Sequence, residues 1–209
     1  MKCNTYHEVY SEYQEIASQT LEGKSDLEIL RTDCYNESGI SSIPKTIVPF
    51  ILPHCSLLQI FEIDPNVIKE AKKKDYMNNK KVFIKEQNII TFNENERKYD
   101  VIFDFSTIDH MEFEEAIIVL KKYKYALKEK GILSLVVWLN EFEHKHMPID
   151  KQYYFKRDLF DKAIKKNFHI SKQEHLFSDH NSELWYYKLS LKKMTLWKKL
   201  LLFLKLMKT

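Results

Sequence analysis

Glycine is nearly missing: Gly23, Gly39 and Gly131 are the only three in 209 residues. That scarcity excludes a GxGxxG loop, whose glycines let the backbone close around a pyrophosphate at a helix N-terminus. Cysteine is almost as sparse. Cys3, Cys34 and Cys55 form an odd set with no CxxC pair, which excludes a disulfide framework and a zinc site and fits a reducing compartment. No apolar run approaches the roughly 20 residues that cross a bilayer, and MKCNTYHEVYSEYQEIASQ lacks the apolar core of a signal peptide. A cytoplasmic protein is therefore expected. Acidic residues are absent from Leu184 onward, where seven lysines fall. With a net charge of +3, the rest of the chain is mildly acidic, against a domain built to neutralise nucleic-acid phosphates.

What is present is a core. Hydrophobic residues make up 44% and charged residues 30%, which fits one globular domain, set at residues 1–193, without repeats or low-complexity linkers. Strand and helix signals alternate, as in a parallel sheet covered on both faces. LEILRT (Leu27 to Thr32) reads as the first strand, followed by the polar turn DCYNESG. Ile40 to Leu52 is apolar-rich, with Pro44 near its start. LLQIFE (Leu57 to Glu62) is the second strand. The following DPNVIKEAKKK starts a helix, with Asp64 as N-cap and Pro65 at the first helical position.

KVFIK (Lys81 to Lys85) and YDVIFDF (Tyr99 to Phe105) are the third and fourth strands. A helix from Glu112 to Glu129 carries Ala116, Val119, Leu120, Tyr123 and Leu127 at helical spacing and is expected to stop at Gly131 as a C-cap. ILSLVVWL follows as the fifth strand. Lys156 to Lys166 is helical, and His169–Leu176 with Leu184–Lys192 make a closing hairpin that leaves the last strand antiparallel.

In open parallel sheets the ligand crevice lies at the carboxyl ends of the central strands. The turn after the first strand brings Asp33, Asn36, Glu37 and Gly39 there. Its two carboxylates repel a diphosphate but suit a ligand with an ammonium group and a sulfonium ion; their rival role is turn formation or helix capping. Glu62 with Ile63 ends the second strand. Glu62 lies 23 residues beyond Gly39, near the spacing of about 20 of a ribose-binding acid; its rival role is a solvated strand-end acid.

LEILRTDCYNESG, LLQIFEIDPNVIKEAKK, KYDVIFDFSTIDHM and YKYALKEKGILSLVVW together resemble the sequential motifs of class I methyltransferases over roughly residues 29–138. The resemblance implies a Rossmann-like α/β fold with a mostly parallel seven-stranded sheet, an antiparallel last strand and helices on both faces. It also implies S-adenosylmethionine as cofactor. Asp33, Glu62 with Ala71, and the LKEKG turn ending at Gly131 match the family pattern. The first motif departs from it, because CYNES stands where glycines are usual. RTDCYNE is similar to a variant found in some bacterial members.

After the third strand, Asn88 and Ile89 match the family's adenine-side pair, with a shift to Gln87 or a simple turn as alternatives. Asp104, Phe105 and Ser106 lead into STIDH, which resembles a motif of glycan- and small-molecule-modifying members. His110 is the candidate general base and Asp109 its orienting or substrate-binding partner; packing beside the cofactor and helix capping are their rivals. The acceptor is expected to be a hydroxyl of a small molecule or saccharide. A small amine, or a Rossmann-like binding protein without catalysis, is the alternative. DFST lacks the (N/D)PP(Y/F) signature of enzymes methylating adenine or glutamine.

Downstream, Glu141, His144 and His146 would have to converge to hold a metal, and none is expected. Tyr153, Tyr154 and Phe155 cover the substrate side or the core. Residues 194–209 are expected to form a basic amphipathic helix, with Leu196, Trp197, Leu200, Leu201, Phe203, Leu204 and Met207 mostly on one face, and with Leu202 and Leu206 interrupting the polar one. It suits peripheral contact with the anionic inner membrane surface, and equally docking onto the protein itself or a partner. The oligomeric state is left open.

Overall fold

Strands and helices alternate along the computed structural model, which describes residues 6–39, 46–92, 98–142, 144–147, 152–179 and 182–192. The chain runs α1 (Tyr6–Leu21), β1 (Leu27–Arg31), α2 (Tyr35–Ser38), α3 (Val48–Ile51), β2 (Cys55–Glu62), α4 (Pro65–Ala71), β3 (Val82–Glu86) and β4 (Tyr99–Phe105). It continues through α5 (Phe113–Ala126), β5 (Leu127–Asn140), β6 (Lys145–Met147), β7 (Gln152–Lys156), α6 (Arg157–Asn167), β8 (Phe168–Asp179) and β9 (Ser182–Leu191).

The pairings give a main sheet in the order β3-β2-β1-β4-β5-β9-β8. The first five strands are mutually parallel, and β9 runs antiparallel to β5 from Ile132↔Ser190 to Asn140↔Ser182. This is the seven-stranded Rossmann-like sheet expected from the sequence. To it the structure adds a hairpin, β6–β7, whose β7 joins the far end of β5 through Leu139↔Phe155 and Asn140↔Lys156.

Strands buried on both faces explain the near-continuous apolar runs of β4 and β5. One face packs Ile29, Ile60, Val101 and Phe103 against α1, α3 and α4. The other packs Leu30, Phe61, Ile102 and Leu135 against α5 and α6. At roughly 25 cal/mol per Å² of apolar area removed from water, these two clusters dominate the favourable side of folding.

Local signals set the helix boundaries. The Asp64 side chain accepts from Asn66 N at 2.8 Å, so α4 begins with the cap and proline that the sequence places there. At α5, Glu115 accepts from the Glu112 backbone N–H at 3.1 Å, fixing Glu112 as the N-cap. Helix α5 ends at Ala126, not beside Gly131. Leu127 is already extended and pairs with Tyr99. Gly131 is needed for a different reason: a Cβ there would lie 3.0 Å from both Lys128 O and Tyr99 O. Residues 40–45, including Pro44, lie outside the described residues, as does the expected basic helix at 194–209. Among the described residues no helix is long and apolar enough to cross a membrane.

Candidate active site

The carboxyl ends of β1, β2 and β4 lie side by side because the three strands are parallel neighbours with β1 between the other two, and open parallel sheets form their ligand crevice at such ends. Pairing of β1 with β4 carries on past the strand, Thr32 N donating to Phe103 O at 3.2 Å, so the loops after both strands start level. This register brings Asp33, Glu62 and Thr107 together although they are far apart in sequence.

In the loop after β1, Asp33 is partly exposed and accepts from Tyr35 N at 3.1 Å through Oδ1 and from Thr107 Oγ1 at 3.2 Å through Oδ2. Tyr35 itself projects into solvent. The loop folds into the single turn of α2, closed by Gly39 at φ +72°, a left-handed conformation that glycine adopts without a Cβ penalty. Asn36 and Glu37 are buried within this turn.

Beneath the loop lies an ion pair. Arg31, 1% exposed, donates Nη1 to Glu37 Oε1 and reaches Asp33 Oδ1 with Nη2 at 3.4 Å. Glu37 Oε1 also accepts from the backbone N–H groups of Ile47 at 2.9 Å and Val48 at 3.0 Å, at the start of α3. Glu37 Oε2 has no hydrogen-bond partner among the described residues. Burial opposes the charge on Arg31, but the Glu37 and Asp33 carboxylates outweigh it and hold the guanidinium protonated. Glu37 thus sits under the loop, closed off from the crevice that its sequence position suggests.

Glu62 is 8% exposed and ties the second strand to this loop. Its Oε1 accepts from Ile63 N at 2.8 Å and Asp64 N at 3.1 Å, and its Oε2 from Cys34 N at 3.2 Å. Burial pushes its carboxyl above the usual range, and these N–H groups pull against that rise. Ile63 beside it is largely exposed, an apolar side chain left at the crevice edge. Cys34 is a buried thiol whose pKa is raised chiefly by burial, so it is not an activated nucleophile.

After β3, Asn88 is exposed and uses Oδ1 to accept from Ile90 N at 2.8 Å, the turn-forming role open to it from the sequence. Ile89 is buried in the same cluster as Phe61 and Phe92. The Gln87 amide donates to Asn88 O at 3.0 Å and stays within the turn.

The loop after β4 is a network of carboxylates and neutral donors. Asp104 is fully buried; Oδ2 accepts from Tyr123 Oη at 2.6 Å and Oδ1 from the backbone N–H groups of Thr107 at 3.0 Å and Ile108 at 3.3 Å. Burial pushes its pKa up to about 7 despite these donors. Phe105 packs inward on Tyr13 and Phe103. Ser106, at φ +64°, turns the chain out of the strand and donates Oγ to Asp109 Oδ2 at 2.8 Å.

Asp109 lies in a short 3-10 turn, Ile108–His110, and also accepts from Trp138 N at 3.0 Å. The cap of α5 is Glu112, so helix capping is not the task of Asp109. Burial raises its pKa, opposed first by the charge of His110. His110 is exposed at the end of this turn. Gln152, from β7, donates Nε2 to Ser106 Oγ at 3.4 Å and completes the cluster. No motif in its own segment marks Gln152; only the added hairpin brings it here. Thr107 lies within STIDH and Tyr123 on the apolar face of its helix, but neither is singled out by the sequence as a partner of Asp33 or Asp104. Of the residues considered for a metal, His144 accepts from Lys156 N at 3.0 Å and lies against Phe113, and His146 stacks on Tyr153.

No family model matches the sequence, and no curated protein matches it. Solved structures do resemble it. The N-methyltransferase NodS from Bradyrhizobium japonicum WM9, crystallised with S-adenosyl-L-homocysteine, matches with a TM-score of 0.64 at 10% identity over 89% of each chain. A putative S-adenosylmethionine-dependent methyltransferase from Listeria monocytogenes matches with a TM-score of 0.68 at 11% identity, over 90% of this chain and 100% of that one. The [4+2]-cyclase SpnF matches with a TM-score of 0.70 at 8% identity, over 87% of this chain and 81% of that one. The fold is therefore that of Rossmann-like, class I methyltransferases. That a cyclase is among the similar structures separates fold from reaction.

Proposed function

We propose that this protein is an S-adenosylmethionine-dependent methyltransferase acting on a hydroxyl of a small molecule or saccharide. The observation that carries the reading is the pair Asp33 and Glu62, two carboxylates at the carboxyl ends of adjacent strands with no glycine-rich phosphate loop between them. A diphosphate is repelled there, whereas an ammonium and a sulfonium are attracted. The donor set fits the cofactor: Glu62 Oε2 accepts from Cys34 N at 3.2 Å and only at 3.8 Å from the weakly donating Cys34 Sγ, a contact that a ribose hydroxyl can replace. Asp33 is placed for the ammonium group, and the exposed Ile63 for a flat apolar ring face. Asn88 and Ile89 follow β3, the neighbour of β2, and are assigned the adenine side of the same ligand.

Bound there, the cofactor supplies an electrophilic methyl group. The residues of the β4 loop position the acceptor, which is where much of the acceleration of a methyl transfer arises. Exposed His110 takes the proton of the acceptor hydroxyl. Asp109, held by Ser106 and Trp138 N, fixes the turn that carries it. Isothermal calorimetry should detect binding of S-adenosylmethionine or S-adenosylhomocysteine to the purified chain; binding of neither overturns the proposal. His110→Ala should spare that binding and reduce turnover by about 10²-fold or more. The assay is labelled-methyl transfer to nucleotide sugars, phosphorylated small molecules and lipid-linked glycans, and unchanged turnover removes the base role.

A further inference from the structure

The ion pair under the β1 loop has a chemical consequence for the crevice above it. Arg31 has two carboxylates within reach, Glu37 through Nη1 and Asp33 through Nη2, and they compete for one buried positive charge. Glu37 is fully enclosed and holds the guanidinium closely, while Asp33 stays at 3.4 Å with its other bonds, from Tyr35 N and Thr107 Oγ1, made at the loop surface. We propose that Glu37 is a positioning residue: by neutralising Arg31 from below, it leaves the charge of Asp33 available for a cationic ligand in the crevice. The inference rests on the methyltransferase reading and gives the role of the glycine-poor loop within it. Where a glycine loop shapes its ligand site by leaving out side chains, this loop does so by pairing two of them internally.

Glu37 offers the test. Among the described residues its Oε1 accepts every hydrogen bond that the side chain makes and Oε2 has no partner. Glu37→Gln, with its carbonyl in the Oε1 position, keeps those bonds, removes the charge and puts an NH2 group in place of Oε2, a cost to folding that the thermal unfolding reads separately. Arg31 then draws Asp33 inward. The test is a double-mutant cycle on the S-adenosylmethionine dissociation constant, measured by calorimetry with thermal unfolding in parallel. Glu37→Gln and Asp33→Asn should each weaken binding about tenfold. The double variant should bind no more weakly than Asp33→Asn alone. A merely structural Glu37 would cost affinity equally in both backgrounds, and that result overturns the inference while leaving the methyltransferase reading in place. Absence of binding by the unchanged protein overturns both. Should Glu37→Gln fail to fold, the same cycle run with Glu37→Asp, whose shorter side chain withdraws the carboxylate from Arg31, should give a smaller loss that again depends on Asp33. A loss independent of Asp33 overturns the inference.

Discussion

The loops after β1 and β4 meet at Thr107, which bonds to both Thr32 and Asp33, and each buries carboxylates, but they stabilise them by different means. Under the β1 loop the buried carboxylate is matched by a guanidinium, Arg31 against Glu37. Under the β4 loop Asp104 is held by a tyrosine hydroxyl and two backbone N–H groups. A carboxylate held by neutral donors in a buried site takes up a proton readily. The β1 loop balances charge with charge. The β4 loop is the pH-responsive side of the crevice.

The largest expected effect breaks the first half of this comparison. Arg31→Met leaves Glu37 as an uncompensated buried charge and should cost about 3–5 kcal/mol of stability. Urea unfolding measures it, and a loss under about 1 kcal/mol would mean that the pair is not what holds the loop.

The second half is sharpened by pH. Unfolded Asp104 titrates near the ordinary value of about 3.9, and folded Asp104 near about 7. Between these values the folded state holds a proton that the unfolded state has released. The contribution of this group to stability is therefore fully present below about pH 4 and is lost as pH rises through about 7. Asp104→Asn keeps an acceptor for the Thr107 and Ile108 N–H groups and should flatten the fall in unfolding free energy between about pH 4 and about pH 7. Identical slopes for variant and parent would show that Asp104 is not the responsible group.

The smallest effect concerns a side chain that spans both loops. Thr107 Oγ1 lies 2.8 Å from Thr32 Oγ1 and donates to Asp33, while its backbone N–H donates to Asp104. Thr107→Val removes the hydroxyl alone and should cost about 1 kcal/mol, read from the unfolding midpoint in urea, with Thr107→Ser retaining it. A loss in Thr107→Ser with none in Thr107→Val would assign the cost to methyl packing instead.

Much of the fold was legible because burial on both faces writes itself into composition. β4 occupies Tyr99–Phe105, the run that the pattern picks out, and α4 begins at the Asp64–Pro65 pair because a cap and a preset φ act locally. Signals failed where one residue type serves two purposes. Gly131 reads as a helix stop, since glycine favours a left-handed C-cap; here it is the close approach of Tyr99 O and Lys128 O that excludes a side chain. The hairpin β6–β7 and helix α1 lie outside the elements that the pattern marks. β6 is three residues long, too short for periodicity to register, and β7 carries three consecutive aromatics, Tyr153, Tyr154 and Phe155, that mask any alternation.

The site divides in the same way. The sequence alone placed Asp33, Glu62 and Asp104 at strand ends, because strand ends are local and parallel sheets form their crevice there. It also set the charge of the β1 loop, since missing glycines and added acids are matters of composition. Tertiary structure alone decided which of those acids face the crevice. Glu37 and Asp33 are equivalent as letters in one turn, yet one is enclosed against Arg31 and the start of α3 while the other stays at the surface. Burial and partner choice depend on elements that meet only when the sheet is assembled, and a linear pattern carries no distance between them.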